Sequence, residues 1–154
     1  MLTDQEIHEI EEELKQLPTR KAACIEALKI IQKHRGWVSD ESIGDLAGYL
    51  EMSRAELDNV ATFYNLVYRK PVGRHVILIC DSVSCYVLGY QAILDKLHEL
   101  LGIRYGETTP DNRFTLLPIA CLGTCDHAPA MMIDDDLHRD LTGEMIQSIL
   151  DKYK

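Results

Sequence analysis

Four of the five cysteines in this chain occur as two close pairs, and their thiols are the side chains whose spacing could carry chemistry. Four residues separate Cys80 from Cys85, three separate Cys121 from Cys125, and 35 residues lie between the pairs. Four thiolates that meet at one point are the usual ligands of an iron–sulfur cluster or of a structural zinc ion. The elements that carry the two pairs decide whether they can meet.

The predicted strands and helix place both pairs at one edge of a sheet. Apolar runs over 75–80 and 115–120 each predict a strand, and apolar residues at helical spacing over 88–101 predict a helix between them. Such a crossover makes the two strands parallel, so that they end at the same edge of the sheet. Cys80 closes the first strand and Cys121 directly follows the second. We therefore expect the four thiols to converge at that edge.

The gap within each pair helps to distinguish the metal. Cys85 and Cys125 are predicted to lie in the loops just beyond the strands. Zinc sites favour two-residue gaps, whereas gaps of four and three give wider loops that suit a two-iron core with one pair for each iron. Gly123, inside the second gap, lets backbone N–H groups approach sulfur. The spacing favours an iron–sulfur cluster, and zinc, disulfides or free thiols are the alternatives.

Cys24 and His127 are weaker candidates for metal ligands, and disulfide bonds are also disfavoured. An odd number of cysteines and a polar, acidic N-terminal segment without a signal-peptide pattern argue against disulfides. Cys24 falls on the apolar face of a predicted helix, where we expect a small buried hydrophobe and not a ligand. His127 could in principle be a ligand, as in Rieske centres. Because four cysteines already complete the coordination, we expect His127 to be a polar loop residue.

The rest of the pattern predicts an α+β fold with two domains, over 1–70 and 71–154. Four helices are expected in the first domain from capping signals at Thr3 with Glu6, Ser39, and Ser53 with Glu56, and from a helix stop at Gly36. The second domain is predicted to run β-α-β-β-β-α. Pro118 lies inside the second strand, and because proline cannot donate a ladder hydrogen bond, that strand should be at an edge of the sheet.

The charge of the chain excludes some partners. The formal net charge of −9 argues against binding to nucleic acid or to an anionic membrane surface. The helix pair over 39–60 has the outline of a helix-turn-helix, but six acidic residues stand there against Arg54 alone. No apolar run approaches the ~20 residues of a membrane span, so no direct membrane insertion is expected. No G-x-G-x-x-G dinucleotide pattern occurs, and nicotinamide chemistry would have to take place on a partner.

At this point the sequence resembles a known family. Cys80-x4-Cys85 and Cys121-Leu-Gly-x-Cys125-x3-Pro129 are similar to the ligand motifs of the thioredoxin-like 2Fe–2S subunit of NADH:quinone oxidoreductase (respiratory complex I), the NuoE type. The segments IEALKIIQKHRGWV over 25–38 and VATFY over 60–64 are similar to the helical N-terminal region of that family. The resemblance extends over nearly the whole chain.

The resemblance implies a fold, a cofactor and partners. It implies a helical bundle followed by a thioredoxin-like domain, with Cys80, Cys85, Cys121 and Cys125 as ligands of one 2Fe–2S cluster. The implied function is single-electron exchange with the FMN of a flavoprotein subunit that also binds NADH. Other peripheral-arm iron–sulfur subunits would be neighbours, on the cytoplasmic side of the inner membrane. The equivalent subunit of an NAD-linked hydrogenase or formate dehydrogenase, a free-standing electron carrier and a structural zinc protein are alternatives. Because Asp81 and Asp126 directly follow two ligands, we expect a low reduction potential.

Overall fold

The computed structural model describes all residues from Met1 to Lys154, and the chain divides into two compact units, Met1–Pro71 and Val72–Lys154. The first unit, here called the helical unit, contains four α-helices. They are α1 (Asp4–Leu14), α2 (Cys24–Arg35), α3 (Asp40–Tyr49) and α4 (Arg54–Phe63). None of the helices in the chain is long and apolar enough to cross a membrane.

Side-chain caps fix the ends of the helices in the helical unit. Thr3 with Glu6 and Ser53 with Glu56 form capping boxes at the starts of α1 and α4, as predicted. Ser39 caps α3 through its side chain. Gly36 ends α2 in the left-handed conformation, with a φ of 80°. The predicted second helix over 19–34 begins later than expected, because residues Arg20–Ala23 form a 3-10 turn before α2.

The core of the helical unit consists of apolar side chains that recur at helical spacing. Fully buried members include Ile10, Leu28, Ile31, Leu46, Leu50 and Leu57. Cys24 is half-buried and packs against this core, within the helical unit. The predicted apolar packing position is therefore found, but the predicted full burial of Cys24 is not.

The second unit, here called the sheet unit, has a four-stranded mixed sheet. In chain order its elements are β1 (His75–Cys80), α5 (Val83–Val87), α6 (Tyr90–Leu101), β2 (Phe114–Ile119), β3 (Met131–Ile133), β4 (Asp136–His138) and α7 (Gly143–Leu150). The strand order is β2-β1-β3-β4, with β1 and β2 parallel and the other pairs antiparallel. The α+β class and the edge position of the strand that contains Pro118 are confirmed.

One element of the sheet unit was not predicted. The helix expected over 88–101 begins at Tyr90 as α6, and an additional short helix, α5, precedes it; Gly89, with a φ of 112°, separates the two. The helix α6 packs against α7, and both contribute to a core with Ile77, Ile79 and Leu116 of the sheet. This core positions β1, which ends at Cys80, and β2, which Cys121 follows.

Candidate metal centre

The parallel pairing of β1 and β2 places the two cysteine pairs at one edge of the sheet. Cys80 is the last residue of β1 and lies opposite Ile119, the last residue of β2. The backbone N–H of Asp81 donates to the Ile119 carbonyl at 3.1 Å and extends the pairing by one step. Cys121 follows two residues after Ile119. Cys80 and Cys121 are therefore positioned by the ends of adjacent strands.

The other two cysteines, Cys85 and Cys125, lie on short helical turns. The prediction that they lie in loops was wrong. Cys85 is in the middle of α5, and Cys125 begins a 3-10 turn over Cys125–His127. The helix α5 has five residues, which is too short to show a helical period in the sequence. It turns Cys85 inward and leaves most of its other side chains in solvent.

The sulfur atoms are neighbours within and between the pairs. Cys121 Sγ and Cys125 Sγ lie 3.7 Å apart. The thiol of Cys80 lies beside those of both Cys85 and Cys121. No group of three or more His, Cys, Asp or Glu side chains is close enough together to hold a metal ion as the side chains stand. The four thiols thus lie beside one another, but no three of them are arranged to bind one metal ion.

The two pairs differ in exposure to solvent. Cys80 and Cys85 are each only 2% exposed, whereas Cys121 and Cys125 are exposed. Backbone amides contact one thiol of each pair: the N–H of Gly123 donates to Cys121 Sγ at 3.2 Å, and the N–H of Ala130 faces Cys85. Gly123 has a φ of 75°, a backbone conformation that residues with a Cβ rarely adopt. A bound group would have one buried side and one open side.

The surroundings shift the acidity of three thiols. Burial, followed by the hydrogen bond with Cys80, raises the pKa of Cys85 to about 11. The Gly123 N–H lowers the pKa of Cys121, and the neighbouring Cys121 thiol raises the pKa of Cys125. Because metals bind thiolates, assembly at this site must release protons, including one from a buried thiol. Four thiols with amide donors fit the soft-ligand chemistry of an iron–sulfur group.

Acidic side chains and one imidazole adjoin the cysteines. Asp81 and Asp126 are exposed beside their neighbouring cysteines. His127 pairs through Nδ1 with the Asp140 carboxylate at 2.9 Å, and its Nε2 lies 3.5 Å from Asp126. This pairing agrees with the prediction of His127 as a polar loop residue.

An exposed apolar surface beside the cysteines was not predicted. Val83, Tyr86, Val87 and Leu88, here called the cysteine-side patch, are between 57% and 74% exposed. Three of them, with Ser84, line a shallow pocket that also contacts Cys125. The run from Val83 to Leu88 is apolar in the sequence apart from Ser84, but this pattern alone did not show which side faces solvent. Most of the patch therefore adjoins the exposed Cys125 in one surface pocket.

Comparison with known proteins agrees with this geometry. A sequence profile of the thioredoxin-like 2Fe-2S ferredoxin family matches residues 10–154. The NuoE-type subunit of the NADH-quinone oxidoreductase of Escherichia coli (strain K12) is 52% identical over 145 residues, which cover 94% of this chain and 87% of the relative. The same type of subunit in Buchnera aphidicola subsp. Acyrthosiphon pisum is 50% identical over 153 residues, which cover 99% of this chain and 94% of the relative.

A solved structure extends the comparison to another complex. The fold is similar to part of a NAD+-reducing NiFe-hydrogenase in the H2-reduced state, with a TM-score of 0.71 and 25% sequence identity. The match covers 84% of this chain and 22% of the hydrogenase chain, so this chain spans about a fifth of that polypeptide. From the profile, the close relatives and the fold together, the chain belongs to the thioredoxin-like 2Fe-2S ferredoxin family, among the NuoE-type subunits of NADH-quinone oxidoreductase.

Proposed function

We propose that Cys80, Cys85, Cys121 and Cys125 hold one 2Fe–2S cluster and that the chain is the NuoE-type electron-transfer subunit of an NADH-quinone oxidoreductase. The observation that carries this proposal is the placement of two cysteine pairs at the ends of adjacent parallel strands in a chain of this family. Each pair would supply the thiolates for one iron. When bound, such a cluster accepts and donates one electron at a time.

The two cysteine pairs have different proposed roles, because one is buried and the other is exposed. Cys80 and Cys85 lie inside the core, where they anchor the group and exclude water from one side. Cys121 and Cys125 lie at the surface, where electrons can cross to a partner. Amide donors such as the N–H of Gly123 stabilise negative charge on sulfur. The nearby carboxylates of Asp81 and Asp126 oppose additional negative charge and so favour a low potential.

The proposed electron partner is a flavoprotein subunit that binds FMN and NADH. This chain has no dinucleotide-binding pattern of its own, so the nicotinamide chemistry must take place elsewhere. In the NAD+-reducing hydrogenase, the region similar to this chain is part of a much longer polypeptide, which supports a close association with a NAD-reactive module. The cysteine-side patch is a suitable contact surface, because covering it would also shield Cys125. We place the chain, with other peripheral iron–sulfur subunits, on the cytoplasmic side of the membrane.

A second candidate is the equivalent subunit of an NAD-linked hydrogenase or formate dehydrogenase. The hydrogenase fold similarity favours this candidate, although its 25% identity is half that of the NuoE-type relatives. Purification of the native complex distinguishes the two, since a nickel- or molybdenum-containing partner would assign the chain to the second class.

Cysteine variants test the ligand assignment. Anaerobically purified chain should contain two irons and two sulfides, and so should Cys24→Ala, the matched control. Each of Cys80→Ser, Cys85→Ser, Cys121→Ser and Cys125→Ser should lower iron content and change the optical spectrum. A full complement of iron and an unchanged spectrum in any of these four variants would contradict the assignment, as would one zinc in place of iron.

A further inference from the structure

We propose that Cys121 and Cys125 form a reversible disulfide bond when the chain meets a low-molecular-weight disulfide before its cluster is inserted. While it lasts, the bond prevents cluster insertion, and this consequence rests on the proposed function. Formation of the bond depends only on the two thiols and does not require that function. The bond is also distinct from the stabilising disulfides that the sequence argues against, because reduction returns both thiols.

The distance between the two sulfur atoms is the first observation. Cys121 Sγ and Cys125 Sγ lie 3.7 Å apart. Because a disulfide bond is about 2.05 Å long, the two sulfurs must approach each other by less than about 2 Å. Both side chains are exposed, and only three residues separate them along the chain. Side-chain rotation at the surface can therefore close the gap without moving the core.

Exposure distinguishes this pair from the other three cysteines. A small disulfide can reach Cys121 and Cys125 directly, because both are exposed. Cys80 and Cys85 are each only 2% exposed and belong to the core of the sheet unit. Cys24 lies in the helical unit, which contains no second cysteine. Oxidation should therefore begin and end at the exposed pair.

The exchange takes two steps. The Cys121 thiolate attacks one sulfur of oxidised glutathione, so that a mixed disulfide forms and one glutathione thiolate leaves. The Cys125 thiolate then attacks Cys121 Sγ, breaks the mixed disulfide and releases the second glutathione. The protein loses two protons and two electrons, and oxidised glutathione is reduced to two glutathione molecules. The N–H of Gly123, 3.2 Å from Cys121 Sγ, stabilises negative charge on the attacking sulfur.

The bond would remove two of the four proposed ligands from use. Metals bind thiolates, so a chain with this bond could offer only Cys80 and Cys85 to a cluster. Exposed disulfides are reduced more easily than buried ones, so that cellular thiols can reverse the bond. Disulfide formation would also keep both sulfurs from irreversible oxidation to sulfinic and sulfonic acids. The exposed half of the ligand set would thus be stored in a recoverable form.

Mass spectrometry of the full chain, with its cluster removed and its thiols reduced, tests this proposal. One equivalent of oxidised glutathione should lower the mass by two hydrogens without a lasting adduct, because two of the five thiols join. Digestion with trypsin then locates the bond. Cys121 and Cys125 fall on one tryptic peptide, 114–139, and Cys80 and Cys85 on another, 75–96. The bond should lie within peptide 114–139.

Variants and cluster transfer test the two steps and the consequence. Cys24→Ala is the matched control and should form the same bond as wild type. Cys125→Ser should keep one glutathione on Cys121, because no second thiol can displace it. Transfer of a 2Fe–2S cluster from a scaffold protein, without free thiols, should be at least about tenfold slower for the oxidised chain, as expected when ligands are lost. Dithiothreitol should restore the rate.

The outcomes separate this inference from the proposed function. Five free thiols after the treatment, a lasting glutathione adduct on wild type, or a first bond that involves Cys80 or Cys85 would overturn the proposed disulfide. Equal rates of cluster transfer to oxidised and reduced chains would overturn the proposed block. A reduced chain that forms the bond but never accepts a cluster would overturn the proposed function and leave the disulfide standing.

Discussion

The carboxylate of Glu6 offers a quantitative test of how the helical unit is held together. Its side chain is 1% exposed and accepts hydrogen bonds from Arg35 Nε and Nη2 at 2.6 and 2.7 Å and from the Thr3 N–H at 2.7 Å. Arg35 in turn donates to Ser42 Oγ and to the Met1 carbonyl. This one carboxylate therefore joins α1 to α2 and, through Arg35, to α3.

The pKa of Glu6 gives the size of its contribution. The Arg35 hydrogen bonds, against the opposing effect of burial, lower the pKa of Glu6 from 4.5 to about 2. Such a difference corresponds to about 3 kcal/mol of stability, an upper value because Arg35 is partly hydrated. Because the folded pKa is depressed, this stability is present above about pH 4.5 and is lost as the pH falls through about 2.

Denaturant unfolding, followed by the fluorescence of Trp37, measures this contribution. Trp37 is the sole tryptophan and lies in the helical unit. At pH 7, Glu6→Gln should lower the free energy of unfolding by about 3 kcal/mol, because Arg35 loses its charged partner. The loss should diminish as the pH approaches 2, where wild-type Glu6 is protonated as well.

A matched control separates this effect from a general change of charge. Glu13 is exposed on the same helix and its side chain makes no hydrogen bond, so Glu13→Gln should change stability by less than about 0.5 kcal/mol. Equal stability of Glu6→Gln and Glu13→Gln at pH 7, or a difference between them that does not shrink in acid, would refute the reasoning.

Three further predictions concern the site and the fold. Asp81→Asn removes a negative charge next to Cys80 and should raise the midpoint potential by tens of millivolts, on the order expected for one partly solvated charge; a redox titration that shows an unchanged or lower midpoint contradicts this. Gly36→Ala should destabilise the helical unit by about 1 kcal/mol, because φ is 80° there and residues with a Cβ disfavour this conformation. An added Cβ would contact no other atom, so backbone strain is the whole expected cost, and thermal unfolding measures it. Ser53→Ala removes the cap of α4 and should cost about 1 kcal/mol in the same assay, whereas an unchanged melting temperature would show that the cap is not needed.

The features that the sequence predicted well are those with strong local signals. The bounds of β1 were predicted correctly, because a β-branched apolar run between polar residues has few alternative structures. The capping boxes at Thr3 and Ser53 formed as expected, since both depend on residues three positions apart. The edge position of the strand with Pro118 followed from its missing N–H.

The features that the sequence did not reveal depend on tertiary structure. The start of β2 at Phe114 is set by its pairing with His75 and not by its own composition. Helix α5 has too few residues for a period, and its apolar side chains gave no sign that they would be exposed. The difference between a buried Cys80 and an exposed Cys121 likewise arises from tertiary packing, because Cys80 ends β1 within the core whereas Cys121 follows β2 at the surface.

The central claim is that this chain holds a reducible 2Fe–2S cluster, and EPR spectroscopy of the anaerobically purified protein tests it most directly. We predict a coloured oxidised form without an EPR signal, and a dithionite-reduced form with one unpaired spin and two irons per chain. A colourless protein that gives no signal after reduction and contains one zinc ion would contradict the account.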